Sequence, residues 1–132
     1  MFVGIYFRSA ACGFISFLAG FVIDADHLID YYCVHRFTLN LRKIYYTCLH
    51  MRLERMYLLL HSYELAAVFW IVIYYFSLSN VWKAAAIGMT QHIALDALTN
   101  PLSGLGYFII YRMSKGFKIR LLMKGLKYHG RT

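Results

Sequence analysis

The chain has 132 residues, 61% hydrophobic and 18% aromatic, with a formal net charge of +8 and a mean hydropathy of +0.52. Soluble domains are about 45–50% apolar, so this composition argues against an ordinary soluble protein and for one membrane-embedded, all-α domain covering 1–132. The basic residues crowd 36–55 and 112–131, with only Lys83 between 56 and 111; charges flanking apolar runs fit the positive-inside bias of membrane proteins better than a nucleic-acid surface, and no nucleic-acid partner is expected.

Residues 2–23 form the first apolar run, interrupted by Arg8. As a helix it would extend about 33 Å, enough for a hydrocarbon core of about 30 Å. Gly13, Ser16 and Gly20 recur at helical spacing and offer a small-residue face that lets a second helix approach closely. The run has no basic segment ahead of it and no clear cleavage motif, so it is expected to be retained rather than removed as a signal. Asp24, Asp26, His27 and Asp30 follow it directly.

Residues 31–57 are mixed. Arg36, Arg42, Lys43, Arg52 and Arg55 alternate with a stripe of Leu41, Ile44, Tyr45, Cys48 and Met51, the pattern of an amphipathic helix on a membrane surface. Residues 58–78 are the second predicted span, with His61 and Glu64 in its first turns. After a turn at 77–80, residues 82–99 form a third, less hydrophobic span that carries Thr90, Gln91, His92 and Asp96. Pro101 ends it, because proline disfavours helical geometry at the residue before it. Residues 102–113 are apolar but short and are read as interfacial or re-entrant. The basic tail, 114–132, interleaves Phe117, Ile119, Leu121, Leu122 and Leu126 and suits an anionic lipid surface. The expectation is therefore about three transmembrane helices with basic interfacial segments at 31–57 and 102–132.

The Lys/Arg bias orients these spans with the N-terminus outside and the C-terminus inside. That topology carries Asp24–Asp30, His61/Glu64 and His92/Asp96 to the same side. Five of the six acidic residues sit in these three clusters, each beside a histidine. His92 and Asp96 are i, i+4, as are Asp26 and Asp30, while His61 and Glu64 are i, i+3; each pair can share a helical face. Carboxylate and imidazole are the ligands of zinc, manganese and iron ions. Ionisable groups inside a membrane are costly and are retained mainly when paired or functional. Each cluster has a plainer reading: a polar helix end for Asp24–Asp30, a favourable helix dipole for Glu64, a hydrogen bond between spans for His92/Asp96. Their coincidence at one depth favours a built site. Cys12, Cys33 and Cys48 have neither disulfide-framework nor metal spacing.

Gly20 to Asp30, Leu60-His61-Ser62, and Gly88 to Thr99 with His92 and Asp96 resemble, in order, the motifs of the bacterial YdjM-type inner-membrane proteins. That family's pattern is Asp-x-Asp-His after a first span, a Thr-His-Ser, and a His-x-x-x-Asp-x-x-Thr in a later helix. The resemblance covers about a quarter of the chain. Ile23 stands where the family often has proline, and the stretch before His61 lacks the family's further histidine, a place that Glu64 would take. The resemblance implies a multi-pass protein of the bacterial inner membrane and a metal-dependent hydrolase.

Taken together, the sequence points to a membrane-embedded hydrolase. Asp26, His27, His61, His92 and Asp96 are the expected ligands of one or two divalent ions. Asp24, Asp30 and Glu64 are the expected general base, orienting groups or further ligands. The expected substrate is a lipid or lipid-linked phosphoester at the cytoplasmic leaflet. Membrane lipid is an expected partner, and a homo-oligomer would thicken a thin three-helix bundle. The alternative is a cation or proton relay, or a structural subunit of a membrane complex, using the same polar clusters.

Overall fold

The computed structural model describes residues 2–34, 40, 42, 46, 55–100 and 102–123. The apolar stripe expected on the 31–57 surface helix, and Leu126 of the tail, lie outside these residues. Among the described residues the protein is all-α, and its extended pairing is limited to isolated antiparallel bridges, Arg55 with Lys118 and Leu102 with Met123.

Helix α1 (Phe2–Tyr6) and helix α2 (Ala10–Ile23) replace the single helix expected over 2–23. The break is local in origin. Arg8 takes a positive φ of 50°, and Ser9 becomes a new N-cap whose hydroxyl accepts from the Cys12 amide at 3.4 Å. Helix α1 then folds back on α2. Helix α3 (Ala25–Val34) continues α2 almost without interruption, because Asp24 at the joint keeps right-handed helical angles. Helix α4 (Tyr63–Tyr75) starts later than expected: Ser62 caps it, accepting from the Leu65 amide at 3.2 Å, so His61 sits in the loop before the helix. Helix α5 (Asn80–Thr99) ends where Pro101 requires, with Asn100 extended at ψ 151°. A 3₁₀ turn (Gly104–Tyr107), helix α6 (Ile109–Ser114) and helix α7 (Ile119–Leu122) complete the described chain.

The pair α2/α5 has the most extensive helix contact, and α4 packs on α5. Of the small-residue face of α2, Ser16 and Gly20 meet α5 while Gly13 packs on Gly4 of α1. A Cβ added at Gly88 would lie 2.0 Å from the Ser16 carbonyl oxygen, so the crossing brings backbone to backbone. Trp70 ties α4 to α5 by donating to the Thr90 hydroxyl at 3.1 Å. The main core gathers Ile23, Tyr31, Met56, Leu58, Ile93, Leu102, Tyr107, Ile119 and Leu122 around the end of this bundle. Four of these residues come from 102–122. That stretch, expected as interfacial, contributes these four side chains to the core while Leu105, Ile110 and Met113 stay exposed, and burial pushes the Tyr107 hydroxyl up to about 12.

Among the described residues one helix, continuous from Ala10 to Cys33, is long and apolar enough to cross a membrane, with 24 residues and a mean hydropathy of 1.6. Only 22% of its apolar window is buried, so its side chains face outward rather than into a core. By length and apolarity the expected three spans reduce to this helix: α4 is apolar but has 13 residues, and α5 has the length but carries Lys83, Gln91, His92 and Asp96. The membrane-length helix is also shifted from the expected 2–23. It contains the Asp24–Asp30 cluster instead of stopping before it.

Candidate metal centre

Asp24 lies at the α2/α3 joint, His61 in the loop before α4, and His92 and Asp96 on one face of α5. The fold brings these four side chains together. His92 Nε2 is 3.1 Å from Asp24 Oδ1 and 3.6 Å from Asp96 Oδ2. His61 Nε2 is 3.4 Å from the same Asp96 oxygen and 3.7 Å from the same Asp24 oxygen. The His27 ring approaches His61 with centroids 5.0 Å apart, and His92 does so at 5.3 Å. Asp24, His27 and His61 form one group of atoms close enough to share an ion, and His61, His92 and Asp96 form another.

These distances bear on chemistry. Ligand atoms about 2.0–2.2 Å from a tetrahedral ion stand about 3.3–3.6 Å from one another. The four nitrogen–oxygen separations above straddle that range. Meanwhile Nε2 of His61, Nε2 of His92 and Nδ1 of His61 are buried with carboxylate oxygens 3.1–3.7 Å away but none in good hydrogen-bond geometry. Buried polar nitrogens are rarely left so. An ion at the centre of the cluster would satisfy both Nε2 atoms at once, and the donor set is one that zinc, manganese and iron accept. The residues therefore fit a divalent ion.

The remaining acids have other positions. Asp26, 2% exposed, accepts from the backbone amides of Leu60 and His61, and its Oδ2 stands 3.6 Å behind His61 Nδ1. It is placed to orient the imidazole from the side away from the cluster. Asp30, 1% exposed, accepts from the amides of Tyr57 at 2.8 Å and Leu58 at 3.2 Å. Glu64 turns away and accepts from the Ile110 amide at 3.2 Å, at the start of α6. The cluster thus takes in Asp24, which the sequence reading gave a catalytic role, while Asp26, Asp30 and Glu64 engage backbone.

Arg112 is the functional residue that the sequence reading passed over. It looked like the first charge of a basic tail, yet it is wholly buried. Its guanidinium donates to the carbonyls of Tyr57, Leu58 (2.6 Å) and His61 (3.2 Å). Asp26 and Asp30 hold the amides of the same loop, so residues 57–61 are clamped through both kinds of backbone group. Burial lowers the pKa of Arg112, and the charges of Asp26, Glu64 and Asp30 oppose that shift. The only hint in the sequence was its position just after an apolar run.

Fold and site together define a class: an all-α protein with a membrane-length helix and an interhelical His/Asp cluster that could hold a metal ion. The chain matches no family model, no curated protein and no solved structure.

Proposed function

We propose that this protein is a membrane-embedded, metal-dependent hydrolase of the YdjM type that cleaves a lipid or lipid-linked phosphoester at the cytoplasmic leaflet of a bacterial inner membrane. The observation that carries this reading is the convergence of His61 Nε2, His92 Nε2, Asp24 Oδ1 and Asp96 Oδ2 within 3.1–3.7 Å, with both nitrogens buried. Support for an orientation with the N-terminus outside and the C-terminus inside comes from the Lys/Arg bias, and the helix from Ala10 to Cys33 has the length and apolarity of a span. Outward-facing apolar residues on α2 and α4, among them Phe17, Phe21, Ile71 and Tyr75, fit contact with lipid or with a second copy.

In this reading His61, His92 and Asp96 are ligands, with His27 beside them. A bound zinc, manganese or iron ion lowers the pKa of a water molecule and polarises the phosphoryl oxygen. Asp24 has a side chain 49% exposed, the most open of the cluster's carboxylates, and it faces solvent and substrate. It takes the proton of the attacking water as the new O–P bond forms. The P–O bond to the alcohol breaks, and the proton passes to the departing oxygen. Asp26 keeps His61 in orientation, and Asp30 and Arg112 hold its loop.

The test uses purified protein in nanodiscs with dodecyl phosphate as substrate. Phosphate release is expected to stop after chelation and to return with one of the three ions. Asp24→Asn is expected to slow turnover about 10²–10⁴-fold. Release that persists through chelation and in a His61→Ala variant would overturn the proposal.

A further inference from the structure

We infer that the cleft between α1, α2 and α5 seats a single hydrocarbon chain, with the chain's ester end at Asp24 and His92. The assignment of the ester rests on the hydrolase reading above; the seat for the chain stands on its own geometry. The cleft has a volume of about 420 Å³, within the usual range of ligand sites, about 300–1,000 Å³. Asp24 and His92 line one end of it, and Phe2 and Val3 line the other. From Asp24 back to Gly13 the helix rises about 16 Å, so the cleft is long and narrow. Apart from Ser16 at the helix crossing, its polar groups Asp24, Gln91 and His92 gather at the cluster end, which is how a site sorts a head from a tail.

The walls say where the occupant comes from. Phe17, Phe21 and Leu95 line the cleft, yet they remain 73%, 67% and 61% exposed. The cleft therefore opens sideways onto the apolar surface of the membrane-length helix, and a lipid chain could enter without crossing water. The floor points the same way. At Gly88 the helix crossing leaves no room for a side chain, but at Gly20 an added Cβ would make only ordinary contacts, 3.6 Å to the Gly88 oxygen and 3.9 Å to His92 Cβ. Packing does not demand glycine at 20. Its absence of a side chain keeps the floor clear beside His92, where the chain meets the ester.

The experiment is photolabelling in nanodiscs with dodecyl phosphate bearing a diazirine at the far end of its chain. Metal content is measured on the same samples. Labelling is expected in peptides containing Phe2 and Phe17, with competition by unlabelled dodecyl phosphate and none by methyl phosphate. Gly20→Leu is expected to reduce it at least tenfold, its metal content and thermal stability being read on the same sample. Gly20→Ala, which the packing accommodates, is expected to fold as wild type and reduce labelling by less, which guards against a misfolded leucine variant. Labelling spread evenly over exposed apolar residues such as Leu98 and Ile110, or unchanged in both variants, overturns the inference. Specific labelling of protein that binds no metal supports the cleft while removing the hydrolase reading.

Discussion

Gly88→Ala is expected to destabilise the protein by about 3 kcal/mol or more, at the upper end of overpacking costs. The new Cβ would stand 2.0 Å from the Ser16 carbonyl oxygen and 2.8 Å from its carbon. Both are backbone atoms, so no rotamer change relieves the clash and α2 and α5 must separate. The separation acts on the site directly, since Asp24 belongs to one side of this crossing and His92 lies one turn beyond Gly88 on the other. Thermal unfolding in detergent measures the effect, with Gly20→Ala as the control expected to be near neutral. A Gly88→Ala protein as stable as wild type would show that the close α2/α5 crossing is misplaced.

The second large effect is expected at Arg112. Replacing it with methionine keeps much of the side-chain volume but removes the donors to the carbonyls of Tyr57, Leu58 and His61. It also removes a positive charge that interacts with Asp26 and Asp30. Stranding buried acceptors and unbalancing buried carboxylates should cost about 3–5 kcal/mol. The loss should concentrate in one place: amide exchange of residues 57–61 should quicken by more than that of α5, and the metal affinity should drop as His61 loses its fixed position. Equal exchange in the two regions, or unchanged stability, would contradict the clamp.

The helical class, the end of α5 at Asn100 and the small-residue contact between α2 and α5 were legible in the sequence, because they follow from composition, proline geometry and residue size. The meeting of Asp24, His27, His61, His92 and Asp96 agrees with the expectation that the three clusters share a site, although the three-span topology from which it was argued reduces to one membrane-length helix. What escaped was decided by contacts between distant segments. Helix α1 separates from α2 because Ser9 offers a cap and Arg8 accepts a left-handed turn, a competition that hydropathy does not register. The sequence ranked Asp26 above Asp24 as a ligand; the fold spends Asp26 on two amides of the loop from Leu60 to His61 and leaves Asp24 facing the histidines. Glu64 has the right spacing from His61 for a shared helical face. Yet Ser62 begins the helix after His61, so the pair never occupies one helix and Glu64 reaches α6 instead. Residues 102–113 look interfacial because they are apolar but short and the tail because it is basic; that Leu102, Tyr107, Ile119 and Leu122 join the core depends on an apolar surface elsewhere in the chain.

The central claim is that His61, His92 and Asp96 hold a divalent ion beside Asp24. The most direct measurement is metal content by mass spectrometry on detergent-purified protein, wild type beside a His92→Ala/Asp96→Ala variant with matched thermal stability. We expect near-stoichiometric zinc, manganese or iron in the wild type and its loss in the variant. Wild type that carries no metal after reconstitution with each of the three ions, or a variant that retains it in full, would contradict the account and leave the cluster as a polar contact between helices.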